Sequence, residues 1–189
     1  MKQPLILASA SPRRRELMAY TGLPFEVICS DAEEIKTGEP DALVMENARR
    51  KARAVAKQHP GRMVLAADTI VYQDGRVLGK PRDEQDAREM LRHLSGNTHT
   101  VYTGVCVIGE DGSENVNVDA SQVAFVSLSE EAIDWYIATG EPMDKAGAYA
   151  VQGRAGMFVR SIEGSYSNVI GLPMALVREI LKAAGADIP

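Results

Sequence analysis

The sequence predicts an α/β protein built on a mixed β-sheet. Three observations carry this: short apolar runs alternate with stretches of helical periodicity, the first of these runs are separated by helices, and the later ones are joined by glycine-marked hairpins. Strands separated by helices pair parallel and hairpins pair antiparallel, so the sheet must contain both.

PLILA (4–8) is a short apolar run that suits a buried strand. Ser11 is placed to cap the helix that follows, and Pro12 fits its first position, where a missing N–H costs nothing; Gly22 closes a helix ending near Thr21. FEVIC (25–29) reads as a second strand and DAEEIKTGEP as a polar loop. From Pro40 to about Gln58, Leu43, Val44, Asn47, Ala48, Ala52, Val55 and Ala56 recur at helical spacing, until His59-Pro60-Gly61 stops them. MVLAADTIVY (63–72) is an apolar strand with one acid inside it, and Asp74-Gly75 turns it into a hairpin with RVLG.

Asp83 to about Leu94 is a helix closed by Ser95-Gly96. THTVYTGVCVIG and residues 115–128, both rich in Val and Thr, flank Asp111-Gly112 and predict a long hairpin. Ser129 caps a short helix carrying Ile133, Trp135, Tyr136 and Ile137. The glycine-punctuated stretch that follows is expected to hold strands at 157–162 and 148–151, and Pro173 opens a last helix to about Ala184. No repeat, low-complexity tract or linker divides the chain, so residues 1–189 read as a single domain.

The 45% hydrophobic and 25% charged composition is that of an ordinary globule, and a net charge of −5 with 5% aromatic residues argues against a nucleic-acid surface. Cys29 and Cys106 lack the spacing of a disulfide framework or zinc site. The first apolar run is too short for a signal core or a membrane span. A cytoplasmic protein without membrane partners is expected, with a homodimer compatible with base rates alone.

Charge is unevenly distributed. Residues 1–57 hold ten Lys/Arg against eight Asp/Glu, whereas 58–189 hold eleven against eighteen. Arg13, Arg14 and Arg15 fall on the first turn of a helix, where the dipole disfavours cations. An anion such as phosphate at that helix end makes the arginines its ligands, together with free backbone N–H groups. Adjacent helical residues point about 100° apart, so Arg13 and Arg14 are the candidates and Arg15 reads as solvated surface. In ENARRKARAVAK most of the basic residues read as a solvated face, but Lys51 borders the apolar stripe and can reach inward.

Asp68 is an ionisable group inside an apolar strand, costly to bury without partners. It reads as a metal ligand or general base, or else as an Asp bonded to local backbone. Glu33 and Glu34 add acid nearby in sequence, and Mg²⁺ binds through one or two carboxylates plus substrate phosphate oxygens. The residues alone therefore point to metal-assisted phosphate chemistry. His59, His93 and His99 have no ligand spacing and read as helix-end or strand-surface residues. Tyr149, Phe158 and Tyr166 read as packing rather than base-stacking groups, with Tyr166 the best exception, and Trp135 as core or an oligomer contact.

SASPRR, ENARRKA, AADTIV, GKPRD, LSGNTHTVYTG, DKAGAYAVQG and SNVIGLP, in that order, resemble the Maf family of nucleoside triphosphate pyrophosphatases. The resemblance implies a strongly curved mixed β-sheet flanked by helices, in two lobes with a central cleft, akin to the inosine triphosphate pyrophosphatases. It implies hydrolysis of a nucleoside triphosphate to its monophosphate and pyrophosphate with a divalent cation, Mg²⁺ or Mn²⁺. By motif, Asp68 matches the catalytic proton acceptor and, with Glu34, the metal site; Ser9, Arg13, Arg14, Lys51 and Lys80 match the phosphate-side groups. Arg13, Thr69 and Gln152 match the specificity positions and resemble the branch that acts on dTTP and UTP, with Ala150 a departure from the glycine frequent there. From the residues alone, Gln152 is a surface turn residue and Thr69 a strand hydroxyl. A pyrophosphatase for noncanonical purine triphosphates, or a nucleotide-binding regulator without catalysis, remains open on the sequence.

Overall fold

The computed structural model describes residues 3–188. Among the described residues, seven strands and six α-helices form two compact units, one made of residues 3–68, 103–119 and 171–188, the other of residues 69–102 and 120–170.

In the first unit, β1 (Leu5–Leu7) is fully buried and pairs parallel with β2 (Phe25–Val27) on one side and with β3 (Val64–Gln73) on the other. Parallel neighbours need crossovers, and helices α1 (Pro12–Ala19) and α2 (Pro40–Gln58) lie in those connections. The order continues from β3 to β5 (Thr98–Ile108) and β6 (Glu114–Phe125), and α6 (Met174–Ala183) completes the unit. Ala48, Ala52 and Val55 of α2 pack with Ile6, Ala8, Val64, Ala66, Cys106 and Ile108 into one core.

Gly104 explains how α2 comes so near the sheet. A Cβ there would lie 2.4 Å from the backbone of Val44 and 2.6 Å from the Met45 nitrogen. Only glycine permits that approach, which lays the next turns of α2 against β3.

In the second unit the order is β4-β3-β5-β6-β7, with β4 (Arg76–Leu78) antiparallel to β3 and β7 (Val159–Glu163) antiparallel to β6. Asp74 and Gly75, both at positive φ, form the two-residue hairpin that the sequence predicts. Helix α3 (Glu84–Leu94) is capped by Asp83 and α4 (Glu130–Ile137) by Ser129, each side chain accepting a backbone N–H three residues on. Phe125, Tyr136, Tyr149 and Phe158 centre an aromatic core.

The sequence reading is corrected at five places. Residues 148–151 are not a strand: Gly147 and Ala148 both have positive φ, which breaks an extended path, and 3-10 segments surround them (Glu141–Asp144, Ala146–Ala148, Arg154–Phe158). The last of these takes residues expected in β7, which begins at Val159. Tyr166–Ile170 forms a short α5 where no element is predicted. His99 is buried, not a strand-surface residue: its Nε2 lies 2.7 Å from the Tyr149 hydroxyl and its ring meets Phe125 edge-on. Trp135 is 44% exposed and so is not core. Among the described residues, no helix is long and apolar enough to cross a membrane.

Candidate active site

In the first unit, the end of β1, the start of α1, the middle of α2 and the 31–35 loop bring most of the candidate residues together. Ser11 caps α1 by accepting the Arg14 N–H, and Pro12 occupies its first turn, which carries no acid. Ser9 is buried, and its Oγ accepts the Ser11 N–H at 3.3 Å and an Arg14 guanidinium N–H at 3.4 Å. Arg14 Nε donates to the Gly171 carbonyl at 2.7 Å. The guanidinium is therefore turned inward and held from two sides. Burial pushes the Arg14 pKa below its ordinary value and Arg13 adds to that, while Asp68 and Glu34 oppose it. Arginine stays charged through such shifts, so the outcome is a desolvated cation facing two acids. Arg13 is half-buried and, among the described residues, makes no ion pair. Arg15 is exposed, in accord with its reading as solvated surface.

Asp68 is buried at the middle of β3. Its Oδ1 lies 2.6 Å from Lys51 Nζ and its Oδ2 accepts from Asn47 Nδ2 at 3.0 Å. Side chains satisfy this carboxylate, rather than local backbone alone. Lys51 Nζ also lies 2.6 Å from Glu34 Oε1, so one ammonium joins the acid of the loop to the acid of the strand. Asn47 and Lys51 are four residues apart on α2 and so share a face. The close approach at Gly104 brings that face to the strand.

Asn47 is the functional candidate that the sequence reading passes over, having counted it in the apolar stripe. Its Oδ1 accepts the Ile35 N–H at 2.8 Å, and its Nδ2 donates to the Ile35 carbonyl at 2.9 Å as well as to Asp68. One amide thus ties the loop that carries Glu34 to the carboxylate of Asp68. The signal was present in the sequence as an amide in a stripe of alanines and valines, where a buried polar group needs partners.

Glu34 and Asp68 reach the same ammonium, so two carboxylate oxygens are already within reach of one cation. That suits a divalent ion held by two carboxylates and completed by substrate oxygens. Among the described residues, no group of three or more His, Cys, Asp or Glu forms a protein-only metal cage.

The remaining candidates lie in the second unit. Thr69 follows Asp68 on β3 and is half-buried. Lys80 follows β4 and is exposed, next to Gly79, whose carbonyl accepts the Gly147 N–H at 3.0 Å. Gln152 is exposed on a turn closed by the Gly153 N–H donating to the Ala150 carbonyl at 3.1 Å. Tyr166 is 51% exposed, whereas Tyr149 and Phe158 are packed in the core as expected.

The chain is similar to known proteins over nearly its whole length. The family model described as Maf-like protein matches residues 4–184. A protein of Anaeromyxobacter dehalogenans (strain 2CP-C) named dTTP/UTP pyrophosphatase is 53% identical over 190 residues, covering 98% of this chain and 96% of that protein. One of Bacillus mycoides (strain KBAB4) with the same name is 49% identical over 187 residues, covering 97% of each. Among solved structures, a HAM1 protein from Coxiella burnetii superposes with a TM-score of 0.53 at 16% identity, covering 95% of this chain and 98% of that one. The Staphylococcus aureus Ham1 protein gives 0.52 at 15% identity, covering 96% and 99%. At such identities these two show a shared fold, a mixed α/β sheet flanked by helices.

Proposed function

Because this chain belongs to the Maf-like family, we propose that it hydrolyses dTTP and UTP to the monophosphate and pyrophosphate. The observation that carries the chemistry is the linkage of Glu34, Lys51, Asp68 and Asn47, with Arg14 turned towards the same acids. With Arg13 beside Arg14 at the same helix start, three cations (Arg13, Arg14 and Lys51) stand against these two acids, and the positive excess suits a polyanionic substrate and not a neutral one.

Asp68 is the general base in this reading. It takes a proton from a water as the water oxygen bonds to the α-phosphorus, and the bond from that phosphorus to the bridging oxygen of the β-phosphate breaks to release pyrophosphate. Asn47 keeps the carboxylate aimed, since its amide is fixed at the Ile35 end. Arg13, Arg14, Lys51 and Lys80 neutralise charge on the phosphates, where most of the rate is gained, and Ser9 holds Arg14 in place. Glu34 and Asp68 would hold a divalent metal, Mg²⁺ or Mn²⁺, which would supply further neutralisation of the triphosphate when bound. Gln152 offers a donor and an acceptor that match the O4 and N3–H edge of uracil or thymine, with Arg13 and Thr69 as the other specificity positions. We take residues 1–189 as one functional domain acting in the cytoplasm on a small nucleotide, without nucleic acid or membrane.

A panel of natural and modified triphosphates, with Mg²⁺ and with chelator, tests this. The expected result is equal amounts of pyrophosphate and monophosphate from dTTP and UTP. Turnover confined to ITP or XTP would select a purine house-cleaning activity instead, and tight binding without turnover a regulator.

A further inference from the structure

Gln152 is exposed on irregular backbone, yet selecting a base by hydrogen bonds requires its amide to be held in one place. Within the same unit, Glu141 lies beneath this turn. It opens the 3-10 segment Glu141–Asp144, and its own N–H is held by Thr139 Oγ1 at 3.1 Å. Its Oε1 accepts the hydroxyl of Tyr136 at 3.0 Å, and its Oε2 accepts the backbone N–H of Arg154 at 3.2 Å. Tyr136 is fully buried in the aromatic core, so one end of this linkage is immobile. Burial and the adjacent carboxylate push the Tyr136 pKa up, which keeps its hydroxyl a donor.

Gly153 supplies an independent observation. Its φ of −122° and ψ of −157° suit any residue, so backbone strain does not demand glycine there. A Cβ would instead lie 1.9 Å from Glu141 Oε1 and 2.6 Å from its Cδ. The carboxylate fills the space a side chain would need. The turn that bears Gln152 is thus seated on Glu141 from below and bonded to it on the far side through Arg154.

We propose that Glu141 is a positioning residue for base selection, setting where the Gln152 amide is presented by tying residues 153–154 to the buried hydroxyl of Tyr136. This rests on the assignment of Gln152 to the base. The linkage requires two acceptor oxygens, one for a hydroxyl and one for an amide N–H. A carboxylate provides both, whereas glutamine provides one and sets an N–H₂ against the other donor.

The test compares kcat/KM for UTP and CTP in Mg²⁺, with folding followed by thermal melting. Gln152→Ala is expected to lower the UTP/CTP ratio by about tenfold or more. Glu141→Gln and Glu141→Ala are expected to lower it by about fivefold to tenfold through KM for UTP, with kcat for UTP within about threefold, whereas Glu141→Asp recovers part of it. Gly153→Ala alone is expected to lower the ratio, but in the Glu141→Ala background it should add almost nothing, because the clashing carboxylate is gone. Tyr136→Phe keeps the carboxylate and loses one bond, so it provides the same reading with a smaller drop if the Glu141 variants melt early. Ratios within twofold of the parent in the folded Glu141 and Tyr136 variants, with Gln152→Ala collapsed, would overturn the positioning role alone. An unchanged ratio in Gln152→Ala would overturn the base assignment and this role with it.

Discussion

The two units solve opposite problems of placement. In the first, Asp68 in a strand interior and Lys51 on a helix are largely desolvated and hold each other: side-chain exposure is 9% for Asp68 and 14% for Lys51, with their charged atoms 2.6 Å apart. In the second, Gln152 is exposed on a turn between 3-10 segments, closed by the Gly153 N–H on the Ala150 carbonyl and bonded to the Glu141 carboxylate through the Arg154 N–H. Charge stabilisation in a transition state gains most from fixed groups in a water-poor setting. Discrimination between bases needs only a few correctly aimed donors and acceptors, which a loop can present and evolution can vary without disturbing the chemistry. Reaction and specificity should therefore be separable by mutation.

The sharpest way to break this comparison is Asp68→Asn. Turnover of every triphosphate should fall by about a hundredfold or more, with the ratio between bases preserved, as measured by pyrophosphate release. Near-normal activity would end the mechanism. Lys51→Met should come next, since it leaves a buried carboxylate without its cation. A loss of about 3 kcal/mol in urea unfolding is expected, mostly through Asp68 because the Glu34 side chain is 55% exposed, together with about a tenfold fall in kcat.

A third experiment sharpens the contrast through pH. Burial lowers the pKa of His99 from the ordinary 6.5 to about 4, and its Nδ1 has no hydrogen-bond partner among the described residues. Between those values the unfolded chain binds the proton and the folded one does not. The neutral ring's contribution is therefore whole above pH 6.5 and is lost as pH falls to about 4, a change of about 3 kcal/mol. Replacing His99 and Tyr149 together by Phe should flatten that part of the stability curve in urea titrations at fixed pH values, while kcat stays on its own profile. The smallest effect belongs to Arg15→Ala. Stability should stay within about 0.5 kcal/mol and kcat/KM within about twofold, in contrast to its half-buried neighbour Arg14, which is bonded to Ser9 and Gly171.

Much of the architecture is legible along the chain. Helix α2 appears with its observed bounds because Pro40 starts it, an apolar stripe runs its length and His59-Pro60-Gly61 ends it. The caps of α1, α3 and α4 and the Asp74-Gly75 hairpin follow from local chemistry. The region after residue 140 resists such reading. Ala148 has a φ of 60°, which alanine does not announce, and the 3-10 segments there are held by contacts such as Tyr136 to Glu141 and Gly147 to Gly79. Alternation alone reads His99 as a surface residue of a strand, because it does not reveal that Phe125 and Tyr149 pack edge-on against its ring.

By itself the sequence determined which groups could do phosphate chemistry: the arginines at a helix start, the acid inside an apolar strand and the lysine at the edge of a stripe, since residue type and local spacing decide charge and helix or strand. Only the tertiary structure decided how those groups are used, because partners distant in sequence set desolvation and aim. Asn47 became the brace of Asp68, and Glu141 the seat of the Gln152 turn, through contacts that no local pattern encodes.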